Sequence, residues 1–291
     1  MRHLVIAAAV VSALTLPPNI APAQDSGAPS LTEVLDRMGA YLARYSEQLS
    51  RTVANEHYKQ TTGSGPTYVE ALLDSEFGVL KIPGYQGWLG FRDVLKVNGR
   101  DVQDHDSQLE QLLLSPAPVP LNQARRIAEA SALHNIGALQ RNINNPALVL
   151  ELFDRRNRPR LHFTKDGEDT IDQMRVWVIR YEEQAKPTLI TTPQGRDVPT
   201  FGQVWVDPIT GELIRAEVNI KDFFAAVGFG ASKAQMRVYF KKDAKLTFWV
   251  PSRLTERYEV GGLGLVTGEA TYTNYRQFGT ETHEEFVPPV K

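Results

Sequence analysis

The chain of 291 residues contains no cysteine. That excludes disulfides, thiol catalysis, cysteine-ligated zinc and a lipid anchor on an N-terminal cysteine. A basic excess is also missing: 32 Lys and Arg stand against 34 Asp and Glu, a formal charge of -2. Bulk electrostatics therefore favours neither nucleic acid nor an anionic membrane surface as a partner. Motifs of catalysis are scarce. There is no G-x-x-x-x-G-K-[ST] and no H-E-x-x-H. The nearest text to a nucleophile elbow, TTGSGPT at 61–67, lacks its first glycine. No repeat of fixed period runs through the chain. Beyond the N-terminus no apolar run is long enough for a transmembrane helix.

What is present begins with Met1-Arg2-His3 and an apolar run of 13 residues, Leu4 to Leu16. Ala21-Pro22-Ala23 then offers a small-x-small cleavage site. This predicts a secretory signal peptide over 1–23, removed after Ala23, and a periplasmic or extracellular location. Residues 24–30 read as a polar linker. An apolar fraction of 42% is ordinary for a folded domain.

From Leu31 to Val53 apolar residues recur in steps of three or four, which predicts an amphipathic helix ending near Tyr58, capped by Ser30 or Thr32. TTGSGP at 61–66 breaks the pattern. TYVEALLDSEFGVLKI and WLGFRDVLKV read as two strands around Pro83-Gly84-Tyr85, and Asn98-Gly99 as a further turn. Residues 106–115 and 121–135 are expected to be helical, within an insertion or lid spanning 100–146. Afterwards short strand-like runs follow at close intervals: ALVLELF, RLHFT, QMRVWVIRYEE, PTLITT, GQVWVD, ELIRAEVNI, AQMRVYFKKD, LTFWVPSRLTERYEV and LVTGEATYTNYRQF. Such spacing predicts one large antiparallel meander.

Acidic residues invite catalytic readings, and local chemistry offers simpler ones. In QVWVDPITGELIRAEV, Asp207 opens a turn with Pro208 next and Gly211 where positive φ is wanted, so it reads as a turn residue. Asn55-Glu56-His57 reads as the last turn of the helix, with the histidine suited to the dipole. Asp104-His105-Asp106 reads as a turn and N-cap rather than a metal set. Asp166-Gly167-Glu168-Asp169 with Asp172 resembles a calcium loop, but its glycine is misplaced for an EF-hand, and a solvated hairpin tip is expected. No cofactor and no metal site is expected.

Aromatic residues concentrate in the strands, and several strands carry bulky groups on both faces. In VWVIRY, Val176 and Val178 oppose Trp177 and Ile179; in LTFWV, Phe248 opposes Trp249. Both faces are then covered, by protein alone or by protein and a ligand. The apolar stretch DFFAAVGFGA at 222–231 lies where a polar loop is expected. It reads equally as a cover or membrane-touching tip and as a buried strand extension.

GVLKIPGYQGWLGFRDVLKVNGRDVQD is similar to the early strands of the LolA/LolB-like lipoprotein-carrier superfamily, which includes RseB-like sensor domains. GQVWVDPITGELIRAEV resembles that family's strand, Asp-Pro turn, strand hairpin. WVPSRLTERYEV followed by GEATYTNYRQF resembles its closing strands. The resemblance implies an α+β fold in which a large antiparallel sheet curves into an incomplete barrel, with the N-terminal helix and a helical lid over the concave face. It implies one LolA-like domain over 31–280 and a tail over 281–291. The family's strand arginine that ties to the lid has two candidates, Arg92 and Arg180. The function implied is non-enzymatic: a periplasmic binding or carrier protein for a lipid, lipopeptide or other apolar ligand. Trp88, Phe91, Trp177, Trp205, Trp249, Phe223 and Phe224 are expected to line the cavity. An envelope sensor or protein-interaction module of the same fold, with its groove filled by its own side chains, is the alternative. A secreted hydrolase with dispersed catalytic residues is a third.

Overall fold

Ser30 starts helix α1 (Leu31–Leu49). Its side chain accepts the Glu33 N–H at 3.3 Å, and the Glu33 carboxylate takes the Ser30 N–H at 2.6 Å. This reciprocal pair satisfies two donors that a helix start leaves free. The computed structural model describes residues 28–277, apart from 51, 64, 82–87, 103–125, 127–128, 138–140, 142, 193–194, 222–231 and 263. Val34, Leu35, Met38, Tyr41, Leu42, Tyr45 and Leu49 form the buried stripe of α1. The helix stops at Leu49, nine residues short of the end expected at Tyr58, and Thr52–Thr62 form strand β1 instead. Val53 follows Leu49 by four, so helical steps alone did not mark the change. The alternation beyond it does: Glu56, Tyr58 and Gln60 are buried, while Asn55, His57 and Lys59 are exposed.

Strands β2 (Val69–Lys81), β3 (Trp88–Val97) and β4 (Arg100–Asp101) follow, with Asn98 and Gly99 at positive φ in the last turn. ALVLELF, expected as a strand, is helix α2 (Ala147–Phe153). Asn145 explains its start, since its side-chain oxygen accepts the Ala147 N–H at 3.0 Å. A short run that is apolar all round carries no period to tell helix from strand. Seven strands come next: β5 (Leu161–Ile171), β6 (Met174–Glu183), β7 (Thr200–Val206), β8 (Leu213–Lys221), β9 (Ser232–Lys242), β10 (Trp249–Val260) and β11 (Gly264–Gln277). PTLITT joins none of them. It makes an isolated bridge, Thr191 to Asp197, within the connection from β6 to β7.

All eleven strands form one open antiparallel sheet in the order β4-β3-β2-β1-β11-β10-β9-β8-β7-β6-β5. The meander of β5 to β11 is thus extended by β1 to β4, added beside β11. Register fixes the faces. Ile179, Val204, Ala216, Val238, Leu254, Ala270, Tyr58 and Leu73 pair in succession across the sheet, and each is 0% exposed. This row marks the inner face, against which α1 and α2 pack. The next row along looks outward: Trp205, Arg215, Tyr239, Arg253, Thr271, His57, Asp74 and Lys96.

The Asp207 hairpin is tied to α1. Asp207 Oδ1 accepts the N–H groups of Ile209 (2.7 Å) and Thr210 (3.2 Å), as a turn residue does. Gly211 has φ +76°, and a Cβ there would lie 2.3 Å from the Arg37 backbone. Arg37 donates to the Pro208 carbonyl at 2.5 Å. The glycine is required both by its φ and by the helix lying directly against it.

Candidate functional site

The inner face has an apolar part and a polar part. In the apolar part Tyr41 stacks on Tyr45 with ring centroids 5.4 Å apart, and Tyr45 meets the edge of Phe248 at 6.0 Å. Phe153 of α2 meets Tyr181 edge-on at 4.9 Å. Contacts of this kind carry the core without a polar motif.

The polar part is built on two Glu-x-Tyr pairs, Glu56 with Tyr58 on β1 and Glu256 with Tyr258 on β10. Alternation turns all four inward. Arg92 on β3 takes both oxygens of Glu56, through Nε and through Nη2 at 2.8 Å. The same Nη2 donates to the Asn144 carbonyl at 3.1 Å, and the guanidinium lies 4.3 Å from the Tyr58 ring centroid. Arg141 Nε stands 3.4 Å from Glu256 Oε1. The two Glu256 oxygens accept the hydroxyls of Tyr58 and Tyr258, the latter at 2.9 Å. Asn144 Nδ2 closes the circuit on the Tyr58 oxygen at 3.1 Å. Gly268 makes room: a Cβ there would sit 2.6 Å from Glu256 Oε1.

These side chains are buried, and the two carboxylates balance the two guanidinium groups. Burial opposes the charge of Arg92, but Glu56 more than offsets it and holds the guanidinium above its ordinary pKa. Burial, and then the charge of Glu256, push the Tyr58 hydroxyl well up; Tyr258 moves the same way for the same reasons.

The polar part exists because irregular chain covers it. Residues 134–137, 141 and 143–145 lie against this part of the sheet, and their backbone groups need partners. Gln60 donates to the His134 carbonyl at 3.1 Å and accepts the Ile136 N–H at 3.2 Å. Arg141 donates to the Ile136 carbonyl at 3.0 Å, and Asn135 to the Arg141 carbonyl at 2.6 Å. The sheet therefore presents amides and charges where loop lies on it, and hydrocarbon where helix does.

Of the two arginine candidates, Arg92 is the one that ties covering chain to the sheet. Arg180 looks outward, 60% exposed at its side chain, with Asp166 at 3.5 Å. Asn55-Glu56-His57 is not a helix end. Glu56 is a buried strand residue, and exposed His57 contacts Asp74 at 2.8 Å. The acidic run at 166–169 lies within edge strand β5 rather than at a hairpin tip. Its carboxylates take side chains: Gln203 on Asp166 (2.8 Å), Lys165 on Glu168 (2.9 Å) and Trp205 on Asp169 (3.1 Å). Asp104-His105-Asp106 lies outside the described residues. Among the described residues no group of three or more His, Asp or Glu is placed to hold a metal.

Of the expected cavity aromatics, Trp177, Trp205 and Trp249 belong to one core cluster. Lys165 caps Trp177, its Nζ 3.6 Å from the ring centroid, and Trp249 Nε1 meets no acceptor among the described residues. Trp205 alternates with inward Val204 and Val206, so it lies on the outer face, with Arg215 5.1 Å from its ring. Phe91 is buried on the side opposite Arg92. Trp88 is described only as a strand residue of β3, and Phe223 and Phe224 lie outside the described residues.

Solved structures resemble this chain across most of its length. One is a domain from Vibrio parahaemolyticus named for outer membrane lipoprotein sorting, at 12% identity, TM-score 0.39, covering 84% of this chain and 94% of that one. The chain is similar to LolA-superfamily structures. Such a protein from Nitrosomonas europaea aligns at 10% identity and TM-score 0.38, over 83% of this chain and 94% of that one. A DUF1329 family protein from Desulfovibrio piger gives 11% and 0.38, over 82% and 91%. No family model matches the sequence, and no curated protein does. Among the described residues no helix is long and apolar enough to cross a membrane.

In the sequence Glu56 and Tyr58 read as a helix end, and Gln60, Arg141, Asn144 and Glu256 draw no reading. A signal was available: Glu-x-Tyr occurs at core-facing parity in two strands. A carboxylate at a position that alternation assigns to the core calls for a buried cation nearby.

Proposed function

We propose that this is a non-enzymatic envelope binding protein whose inner face takes an apolar ligand, such as a lipid or lipopeptide chain. One observation carries the reading. The inner face carries a fully buried apolar row from β6 to β2, and beside it the described residues of 134–145 are held to the sheet by side-chain contacts with Gln60, Tyr58 and Arg92. Release of those residues would uncover the buried ion pairs together with the apolar cluster of Tyr258, Val260 and Val266 against which Ile143 packs. Each CH₂ of a chain buried there contributes about 0.8 kcal/mol, so binding needs no polar motif. Native mass spectrometry of the protein purified from a bacterial envelope, followed by organic extraction, is the test. A co-purified apolar molecule is the expected result. A clean apo mass, with no uptake of a fluorescent fatty acid afterwards, overturns the reading.

A second reading, an envelope interaction module, is favoured by a separate observation. The cavity that borders Arg92 and Arg141 measures only about 20 Å³. The inner face is therefore filled there by the protein's own side chains. A pull-down that recovers a stoichiometric protein partner, together with an apo mass, selects it.

A further inference from the structure

The outer face of β5 to β8 carries a cavity of about 520 Å³, half open to solvent. Register explains its lining. Ile179 and Tyr181 turn inward on β6, so Arg180 and Glu182 turn outward. By the same alternation Phe201 and Gln203 of β7, and Asn219 and Lys221 of β8, face out beside them. Strand β5 adds Asp166, the extra residue of a bulge between Lys165 and Gly167. A bulge re-aims a side chain, and Asp166 here lines the trough. Gly202 lies among the lining residues, and Pro199 with Thr200 adjoins it along β7.

The charges in the trough are largely engaged with one another. Asp166 has Arg180 at 3.5 Å and the Gln203 amide at 2.8 Å. Glu217 takes the Asn219 amide at 2.9 Å and Arg237 at 2.5 Å. Lys221 Nζ sits 4.8 Å from the Phe201 ring centroid. Neither sign dominates, so an ion of either charge finds no complementary field. What the trough does offer is planar hydrogen-bonding groups of both polarities around one aromatic ring. A carboxylate oxygen holding one donor keeps a lone pair, and an amide or guanidinium keeps further N–H groups. Hydroxyls, each able to donate and accept, match such a lining, and the C–H face of a sugar ring matches the phenyl group. The volume falls in the range of about 300–1,000 Å³ usual for small-ligand sites. The open side suits a unit within a longer chain.

We propose that this trough is a saccharide-binding site that takes pyranose units of a neutral glycan. It lies on the opposite face from the apolar ligand proposed above, and either site can fail without the other. Isothermal titration of the purified protein with maltotetraose, cellotetraose and the tetramer of N-acetylglucosamine tests it. Saturable binding of at least one is expected, weakened tenfold or more by Phe201→Ala and by Asn219→Leu. Asn219→Leu keeps the test decisive if Phe201→Ala fails to fold. No saturable binding of any of the three at millimolar concentration overturns the proposal. So does binding indifferent to both substitutions, or tighter binding of tetralysine or tetraglutamate at the same place.

Discussion

The inner face of the sheet is covered in two ways, and the contrast separates graded from all-or-none stability. Beneath α1 and α2, hydrocarbon meets hydrocarbon, and losing one group costs in proportion to what is removed. Beneath the described residues of 134–145, Glu56, Arg92 and Glu256 pair with one another or with Arg141 of the covering chain, and Arg92 also takes its backbone. Removing one member leaves a buried charge without its partner, which costs far more than the pair itself contributes. The apolar part fixes the fold. The polar part holds the described residues of 134–145 against the sheet.

The largest effect is expected from alkali, which tests both parts together. Tyr58 and Tyr258 of the polar part and Tyr45, Tyr181 and Tyr272 of the apolar core all have pKa values raised above the ordinary 10.0, burial being the first cause. A raised value favours the neutral phenol in the folded state. The stabilisation is therefore complete below pH about 10 and is lost as pH rises beyond it. Tyrosinate absorbance of these residues should appear together with loss of circular dichroism. Their ionisation in a still-folded protein would show that neither part is sealed.

Arg92→Ala should lose about 3–5 kcal/mol in urea denaturation. Replacing Glu56 and Arg92 together by leucine should cost less than the two single leucine substitutions summed. A loss under about 1 kcal/mol for Arg92→Ala would erase the contrast, since exposed ion pairs contribute about that much. Leu42→Ala, in the apolar part, should cost about 2–5 kcal/mol, and a second deletion some distance away, Leu150→Ala, should add to it. Additivity in the apolar part against its failure in the polar part is the sharpest form of the comparison.

The smallest effect is expected at the start of α1. Ser30→Ala removes a cap and should cost about 1 kcal/mol in the same denaturation experiment. Glu33 is held below its ordinary pKa by the Ser30 backbone N–H and hydroxyl. Its contribution is present above the ordinary carboxylate value and disappears as pH falls below it, so the effect of Ser30→Ala should shrink in acid.

Strands with clean alternation and turn residues at their ends were legible in the sequence. The turns at Asp207-Gly211 and Asn98-Gly99 appear as their chemistry dictates. Two elements were not. β1 follows α1 after a short break and begins at Thr52, next to Val53, where helical and strand steps coincide. Its inward side chains, Glu56 and Gln60, look like surface residues until their partners are known. α2 is apolar on every side and offers no period. The candidate site fared worse, because its polar members come from residues about 36 to 200 positions apart. For the aromatics, residue type does not reveal which face of a strand a ring occupies. Trp205 and Trp177 share a sheet and face opposite sides of it.

Strand order has a consequence for how the chain is made. β1 pairs with β11, joining Thr52 to Gln277 and Thr62 to Val266. During synthesis or export from the N-terminus, β1 emerges early with one edge paired to β2 and the other bare. It stays bare until the final strand arrives, more than two hundred residues later. Pairing across so long a loop is slow, and an unpaired edge invites other chains. The newborn protein therefore passes through an interval in which it is most in need of a chaperone, and that interval ends with β11.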